Sequence, residues 1–152
     1  MDGTFGRIGL IGDIHAEDER LWEALDDSTR AMLAALPVTL EIATVGGPAL
    51  LCHGIGSNDM SKLNPDDHGY AVAVSEELQE LLRTRRHRWV LNGHSHKRMV
   101  RHFPGLTMVN AGTLKRGEEA GFFELDFAAG VARLFEFEGP GVVPALEIPL
   151  FP

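Results

Sequence analysis

Apolar residues in this chain gather in short runs that stop at Gly, Asp, Asn or His, and long helical stripes are few. Arg7-Ile8-Gly9-Leu10-Ile11, Ala49-Leu50-Leu51-Cys52 and Trp89-Val90-Leu91 are three such runs. Each is short and bounded by turn residues, which predicts strands with little exposed surface. Val38–Val45 alternates with period two and predicts a half-exposed strand, which Gly46-Gly47-Pro48 turns into Ala49–Cys52 as an antiparallel hairpin. Met99–Phe103, Leu106–Val109, Gly121–Phe127 and Val131–Phe137 predict four more strands, punctuated by hairpin turns at Pro104-Gly105 and Ala129-Gly130. These four are expected to form a second sheet. Helical periodicity is confined to Ala16–Leu25, with acids in its first turn, to Arg30–Leu36, stopped by Pro37, and to Ser75–Arg85, with Leu78, Leu81 and Leu82 on one face. Ser28 or Thr29 is the expected N-cap of the second helix.

The stops carry the chemistry. The first run ends in Gly12-Asp13-Ile14-His15, the second in His53-Gly54 and the third in Asn92-Gly93-His94-Ser95-His96. A His-x-His pair alone is weak evidence for a metal. In an open α/β sheet, however, ligands bind beyond the carboxyl ends of parallel strands, so three strand ends bearing carboxylate and imidazole should lie side by side. The stretch 54–69 is rich in Gly, Asn, Asp and Pro and too long for an ordinary connection, which marks a functional loop with Asn58, Asp59 and His68 as candidates. Asp26-Asp27-Ser28-Thr29 offers two further carboxylates, for which capping and turn duty is the commoner role.

Taken in order, Gly12-Asp13-Ile14-His15, His53-Gly54 and Gly93-His94-Ser95-His96 resemble the calcineurin-like metallophosphoesterase superfamily, in particular its small bacterial phosphodiesterase-like members. Asn110-Ala111-Gly112-Thr113 is similar to the Asn-x-Gly-Ser/Thr turn that follows in those proteins. The resemblance implies a two-sheet α/β sandwich. It also implies one divalent ion (Mn, Zn, Fe or Mg) at Asp13, His15 and His96 and another at His53 and His94. Asp13 and His94 would act in hydrolysis of a phosphomonoester or phosphodiester by metal-activated water, with Asn110, Lys97 and Arg98 contacting the substrate. Two further motifs of the family, a Gly-Asp whose Asp bridges two metals and a Gly-Asn-His, are missing between His15 and His53. The fold expected is therefore that sandwich with two β-α units absent from its N-terminal half. One ion is expected more readily than two, because two cations repel each other without a carboxylate between them. Retention should weaken in acid, since imidazole binds a cation in its neutral form. A catalytically inactive metal- or phosphate-binding module is the alternative. Loss of two β-α units should also bare a sheet edge beside the first strand, so a homodimer, or a strand exchange that could return ligands in trans, is expected.

Composition narrows the choice further. The 152 residues are 44% hydrophobic, enough for one domain, placed at 1–137, followed by an extended tail at 138–152, where four Pro and two Gly fall in fifteen residues. A net charge of −8 argues against stable nucleic-acid binding and leaves a phosphorylated small molecule or nucleotide as the expected substrate. Seven of the fourteen basic residues lie between Arg83 and Arg101, a cluster that could steer phosphate toward His94 and His96. Cys52 is the single cysteine, so no disulfide forms within the chain, and a Cys52–His53 nucleophile pair is geometrically poor because adjacent strand residues face opposite sides. No apolar run approaches membrane-spanning length and no signal peptide is evident, so cytoplasmic residence without membrane contact is expected.

Overall fold

The computed structural model of the chain describes residues 3–13, 23–115 and 118–152. The elements in order are β1 (Arg7–Ile11), α1 (Asp27–Ala34), β2 (Thr39–Thr44), β3 (Gly47–Cys52), α2 (Tyr70–Ala73), α3 (Glu76–Thr84), β4 (Trp89–Asn92), β5 (Met99–Phe103), β6 (Leu106–Asn110), β7 (Gly121–Asp126), β8 (Val131–Glu138) and β9 (Gly141–Pro149). They build a two-sheet α/β sandwich of the metallophosphoesterase type. The five-stranded sheet has the order β2-β3-β4-β6-β5 and the four-stranded sheet the order β1-β7-β8-β9.

The continuous apolar runs are explained by burial on both faces of the five-stranded sheet. On its inner face Ala49, Trp89, Leu91 and Val109 meet Leu10, Phe123, Leu125 and Leu134 of the opposite sheet. On its outer face Leu50, Cys52, Val90 and Met108 meet Leu78 and Leu81 of α3 together with Ile55 and Leu63. All four residues of β4 are buried, and β3, β4 and β6 run parallel, as strands covered on both faces commonly do. Cys52 belongs to this packing, and burial pushes its thiol pKa up.

Four expectations need correction. The hairpins β5–β6 and β7–β8 form at the turns read from the sequence, yet they do not share a sheet. β6 pairs with β4 and carries β5 into the five-stranded sheet, because its residues are buried on both sides. Nor does β1 lie beside β3 and β4; it pairs antiparallel with β7 in the other sheet. At the C-terminus, 141–149 is strand β9 along β8 and Leu150 is fully buried, so this stretch is an edge strand of the fold and not a free tail. Finally, the N-cap of α1 is Asp26, whose carboxylate accepts from the backbone N of Thr29 at 2.8 Å and from the hydroxyls of Ser28 and Thr29. Those bonds favour the charged form and lower the Asp26 pKa to about 2. Asp27, on the same turn, pairs with Arg30.

The helix expected at Ala16–Leu25 lies outside the described residues except for its last three. Among the described residues, β1 is an edge strand, and no helix is long and apolar enough to cross a membrane.

Candidate metal centre

Side-chain parity sends His53 inward. Ala49 and Leu51 of β3 face the opposite sheet while Leu50 and Cys52 face α3, so the next residue, His53, emerges on the side between the sheets. The end of the neighbouring strand is tied to it: the Gly93 backbone N donates to the His53 carbonyl at 3.0 Å, and the Asn92 amide donates to the Gly54 carbonyl at 2.8 Å.

Asp13 reaches the same place from the other sheet. Beyond β1 the chain crosses to the loop after β6, where the Asp13 backbone N donates to the Gly112 carbonyl at 3.1 Å and the Leu114 N donates to the Asp13 carbonyl at 2.9 Å. The Thr113 hydroxyl adds a further bond to that carbonyl at 3.0 Å. Gly12 permits the crossing, since a Cβ there would lie 1.9 Å from the Gly112 oxygen. Gly93 permits the next approach, since a Cβ there would lie 2.4 Å from Asp13 Oδ1. The carboxylate thus presses against the loop that carries the histidines, and the His94 backbone N donates to Oδ1 at 3.1 Å.

Asp13, His53 and His94 each offer a ligand atom, and these atoms lie within 4.8 Å of one another. His94 Nδ1 is 3.2 Å from His53 Nε2, and His53 Nδ1 is 3.4 Å from Asp13 Oδ1. Two imidazoles and a carboxylate closing on one point form the donor set that a borderline divalent cation prefers, so the residues present fit a metal. His96 approaches from the opposite flank, its Nε2 3.2 Å from Asp13 Oδ2, while its Nδ1 faces Glu118 at 3.4 Å. His94 and His96 have φ values of 64° and 58°, a left-handed backbone that costs a residue with a Cβ about 1–2 kcal/mol. Such strain gathers at binding sites, where surrounding contacts hold the residue in place.

The structure thus groups Asp13 with His53 and His94, and places His96 on the other Asp13 oxygen; His15 lies outside the described residues. Asn110 is 1% exposed and clamps the loop: its amide donates to the Gly93 carbonyl and, at 3.0 Å, to the Ser95 hydroxyl, and its oxygen accepts from the Gly112 N at 2.8 Å. Arg98 is held by Glu136 at 2.6 Å and Glu119 at 3.2 Å, whereas Lys97 is exposed. Much of the basic cluster is engaged in the same way, with Arg83 on Glu80, Arg86 on Glu41 and Arg88 over the rings of Trp89 and Phe151. In the long loop, Asn58 closes a turn with Ile55 and donates to Glu77, and His68 faces Arg101. Two residues escaped the sequence reading. Glu118 belongs to no motif, and its one signal is a place in the loop after Asn110-Ala111-Gly112-Thr113; Asn92 read as a turn former, although it ties two strand ends together.

The centre opens into a cleft of about 740 Å³ walled by Leu10, Ile11, Leu36, Leu51 and Cys52. An adjoining groove of about 350 Å³ shares Leu36, Leu51, Cys52 and His53 and continues over Pro37, Val38 and Leu40. Among the described residues lining the cleft there is no Lys or Arg.

No family model matches the chain, and no curated protein does. Solved structures do match. A single mutant of Vps29 from Entamoeba histolytica is 15% identical, with 94% of this chain and 98% of that one covered and a TM-score of 0.58. Vps29 from Chaetomium thermophilum is 14% identical over 93% of this chain and 96% of that one, with a TM-score of 0.57. Hypothetical protein PH1004 from Pyrococcus horikoshii OT3 is 18% identical with a TM-score of 0.61; the match covers 77% of this chain and 46% of PH1004, so the chain aligns with under half of that protein. At these identities the likeness defines the fold alone, a two-sheet α/β sandwich of the metallophosphoesterase type.

Proposed function

We propose that this protein is a metal-dependent phosphoesterase acting on a phosphorylated small molecule or nucleotide. The observation that carries the reading is the convergence of Asp13, His53 and His94 from two different sheets on one point at the mouth of a cleft. Asp13, His53 and His94 would hold the cation, with His96 contributing from the Oδ2 side of Asp13. A divalent cation bound there supplies positive charge to the phosphoryl oxygens and lowers the pKa of water. The chain's own residues do the rest. Asp13 orients the loop through the His94 N–H, and Asn110 holds Gly93 and Ser95 so that both rings stay at the mouth. The apolar walls limit water beside the reacting group, which strengthens electrostatic contacts there. With no Lys or Arg among the described residues lining the cleft, the charge of the bound cation would have to balance the phosphate.

The test is hydrolysis of bis(p-nitrophenyl) phosphate with added Mn²⁺. The expected result is turnover abolished by Asp13→Ala and by His94→Ala; a rate indifferent to both sinks the reading.

A second reading, a binding or assembly module without turnover, is favoured by the surface next to the centre. α1 buries none of its residues, and Met32, Leu36, Val38 and Leu40 are exposed along α1, the connection that follows it and the edge strand β2. Exposed apolar edges are commonly covered by another chain, which supports a homodimer. Metal uptake without turnover, together with a dimer in light scattering, would favour this reading.

A further inference from the structure

The five-stranded sheet ends in β5, and that edge is open. The turn at Pro104-Gly105 makes Phe103 with Leu106, Arg101 with Met108 and Met99 with Asn110 the hydrogen-bonded pairs of the hairpin. The N–H and C=O groups of Val100 and His102 therefore point away from β6, and no hydrogen bond to them forms among the described residues. Beside them lies a cavity of about 520 Å³, lined along its length by the consecutive residues Arg98, Met99, Val100 and Arg101. On the inner face the cavity is floored by Phe123, Leu134 and Leu146. Leu146 pairs with the core residue Leu134 and so lies on the inward side of β9, yet it is 54% exposed. An apolar slot thus faces solvent between β5 and β9. On the outer face the Arg101 guanidinium donates to the Asn64 carbonyl at 3.3 Å, lies 3.4 Å from His68 Nδ1 and covers the Phe103 ring at 5.1 Å. No carboxylate among the described residues pairs with it, whereas Arg98 already holds Glu136 and Glu119.

We propose that the β5 edge is a docking site for an extended peptide segment of a partner protein, which adds to the sheet as a further strand and carries an acidic residue flanked by apolar ones. The outward groups of Val100 and His102 supply main-chain hydrogen bonds, as an open sheet edge does for an added strand. Side chains directly opposite each other on paired strands share a face. The residue opposite Val100 therefore enters the slot over Leu134 and Leu146 and must be apolar. The residue opposite Arg101 stands on the outer face and meets the guanidinium, so a carboxylate fits there. A second copy of this chain fits poorly, because the antiparallel register that uses all the outward groups sets two Arg101 side chains opposite each other, and like charges in that position repel. The inference is independent of the metal-dependent reading, since none of Asp13, His53, His94 and His96 lines this cavity.

The experiment follows backbone amides of the isotope-labelled full chain by nuclear magnetic resonance, with the capped peptide acetyl-Ser-Thr-Ile-Glu-Val-Thr-Ser-amide as probe and a second peptide carrying Lys in place of Glu as control. In the free protein the Val100 and His102 amides should exchange with solvent about tenfold or more faster than those of Met99, Arg101 and Phe103, which donate to β6. The Glu peptide should slow and shift both, and the Lys peptide should bind about tenfold more weakly. Arg101→Glu should reverse that preference. Val100→Pro removes one outward N–H and leaves the β5–β6 ladder intact, and Leu146→Asp puts a charge in the slot at an exposed position. Each should abolish the peptide-induced shifts while near-ultraviolet circular dichroism keeps the wild-type spectrum. No shift at Val100 and His102 with peptide in the millimolar range, or binding that both variants leave unchanged, would overturn the site. Equal affinity for the two peptides would overturn the acidic occupant. Protection of these amides that rises with protein concentration, without peptide, would overturn the partner peptide in favour of a second copy.

Discussion

Gly93→Ala tests whether Asp13 stands where the chemistry needs it. The added Cβ would lie 2.4 Å from Asp13 Oδ1, and ordinary contact begins at 3.4 Å, so the carboxylate must retreat by about 1 Å. Gly93 does not have a positive φ, so alanine brings little backbone penalty and the effect is steric. The retreat breaks the bond from the His94 N and moves Oδ1 away from His53. Displacements of this size commonly cost a metal or active site about 10- to 100-fold. At Mn²⁺ one hundred times the wild-type dissociation constant, binding stabilises the native state by about 2.7 kcal/mol; a 100-fold weaker variant keeps about 0.4 kcal/mol. For a chain of this length the lost difference is about 5–9 °C of metal-induced shift in Tm. Thermal unfolding with and without Mn²⁺ reads it directly. In the metal-free protein the clash itself should cost about 1–3 kcal/mol, and that cost should largely vanish in an Asp13→Ala background, where there is no carboxylate to displace. Wild-type Mn²⁺ affinity in Gly93→Ala, or a steric cost unchanged by Asp13→Ala, would refute the placement of Asp13 against this loop.

Other expectations follow from single features. Because φ at His94 is 64°, His94→Gly should leave the metal-free protein about 1 kcal/mol more stable than His94→Ala, as chemical denaturation of the two variants can measure. The Asp126 pKa is lowered by a hydrogen bond from the Ala129 N and by Arg7. Its contribution to stability is therefore present above the unfolded-state value of about 4 and is lost as pH falls through the lower folded value; urea midpoints against pH should show a shallower acid limb in Asp126→Asn. Asp26→Ala should fray α1 in hydrogen exchange while the five-stranded sheet stays protected, since α1 buries none of its residues. If the apolar edge joins two copies, Val38→Glu should convert a dimer to a monomer in light scattering; a monomeric wild type would remove the homodimer.

The sequence by itself determined the local elements and the candidate ligand residues at their ends. Strand runs that stop at Gly-Asp, His-Gly and Gly-His-x-His were legible because alternation and turn residues act within a few positions along the chain. The hairpins at Pro104-Gly105 and Ala129-Gly130 were legible for the same reason. Sheet membership was not. Leu106–Asn110 looks the same whether its partner is β4 or β7, and β1 carries no mark that sends it to the opposite sheet, because pairing is settled by which faces can be buried together. The tail rich in proline became β9 because β8 offered it a full edge. The tertiary structure alone assigned Asp13 to His53 and His94, brought Glu118 to His96, and bound Arg98 and Asn110 into the scaffold. Each of these depends on distances across the sandwich, set by close approaches such as Gly12 on Gly112 and Gly93 on Asp13. Sequence proximity does not encode those distances; packing does.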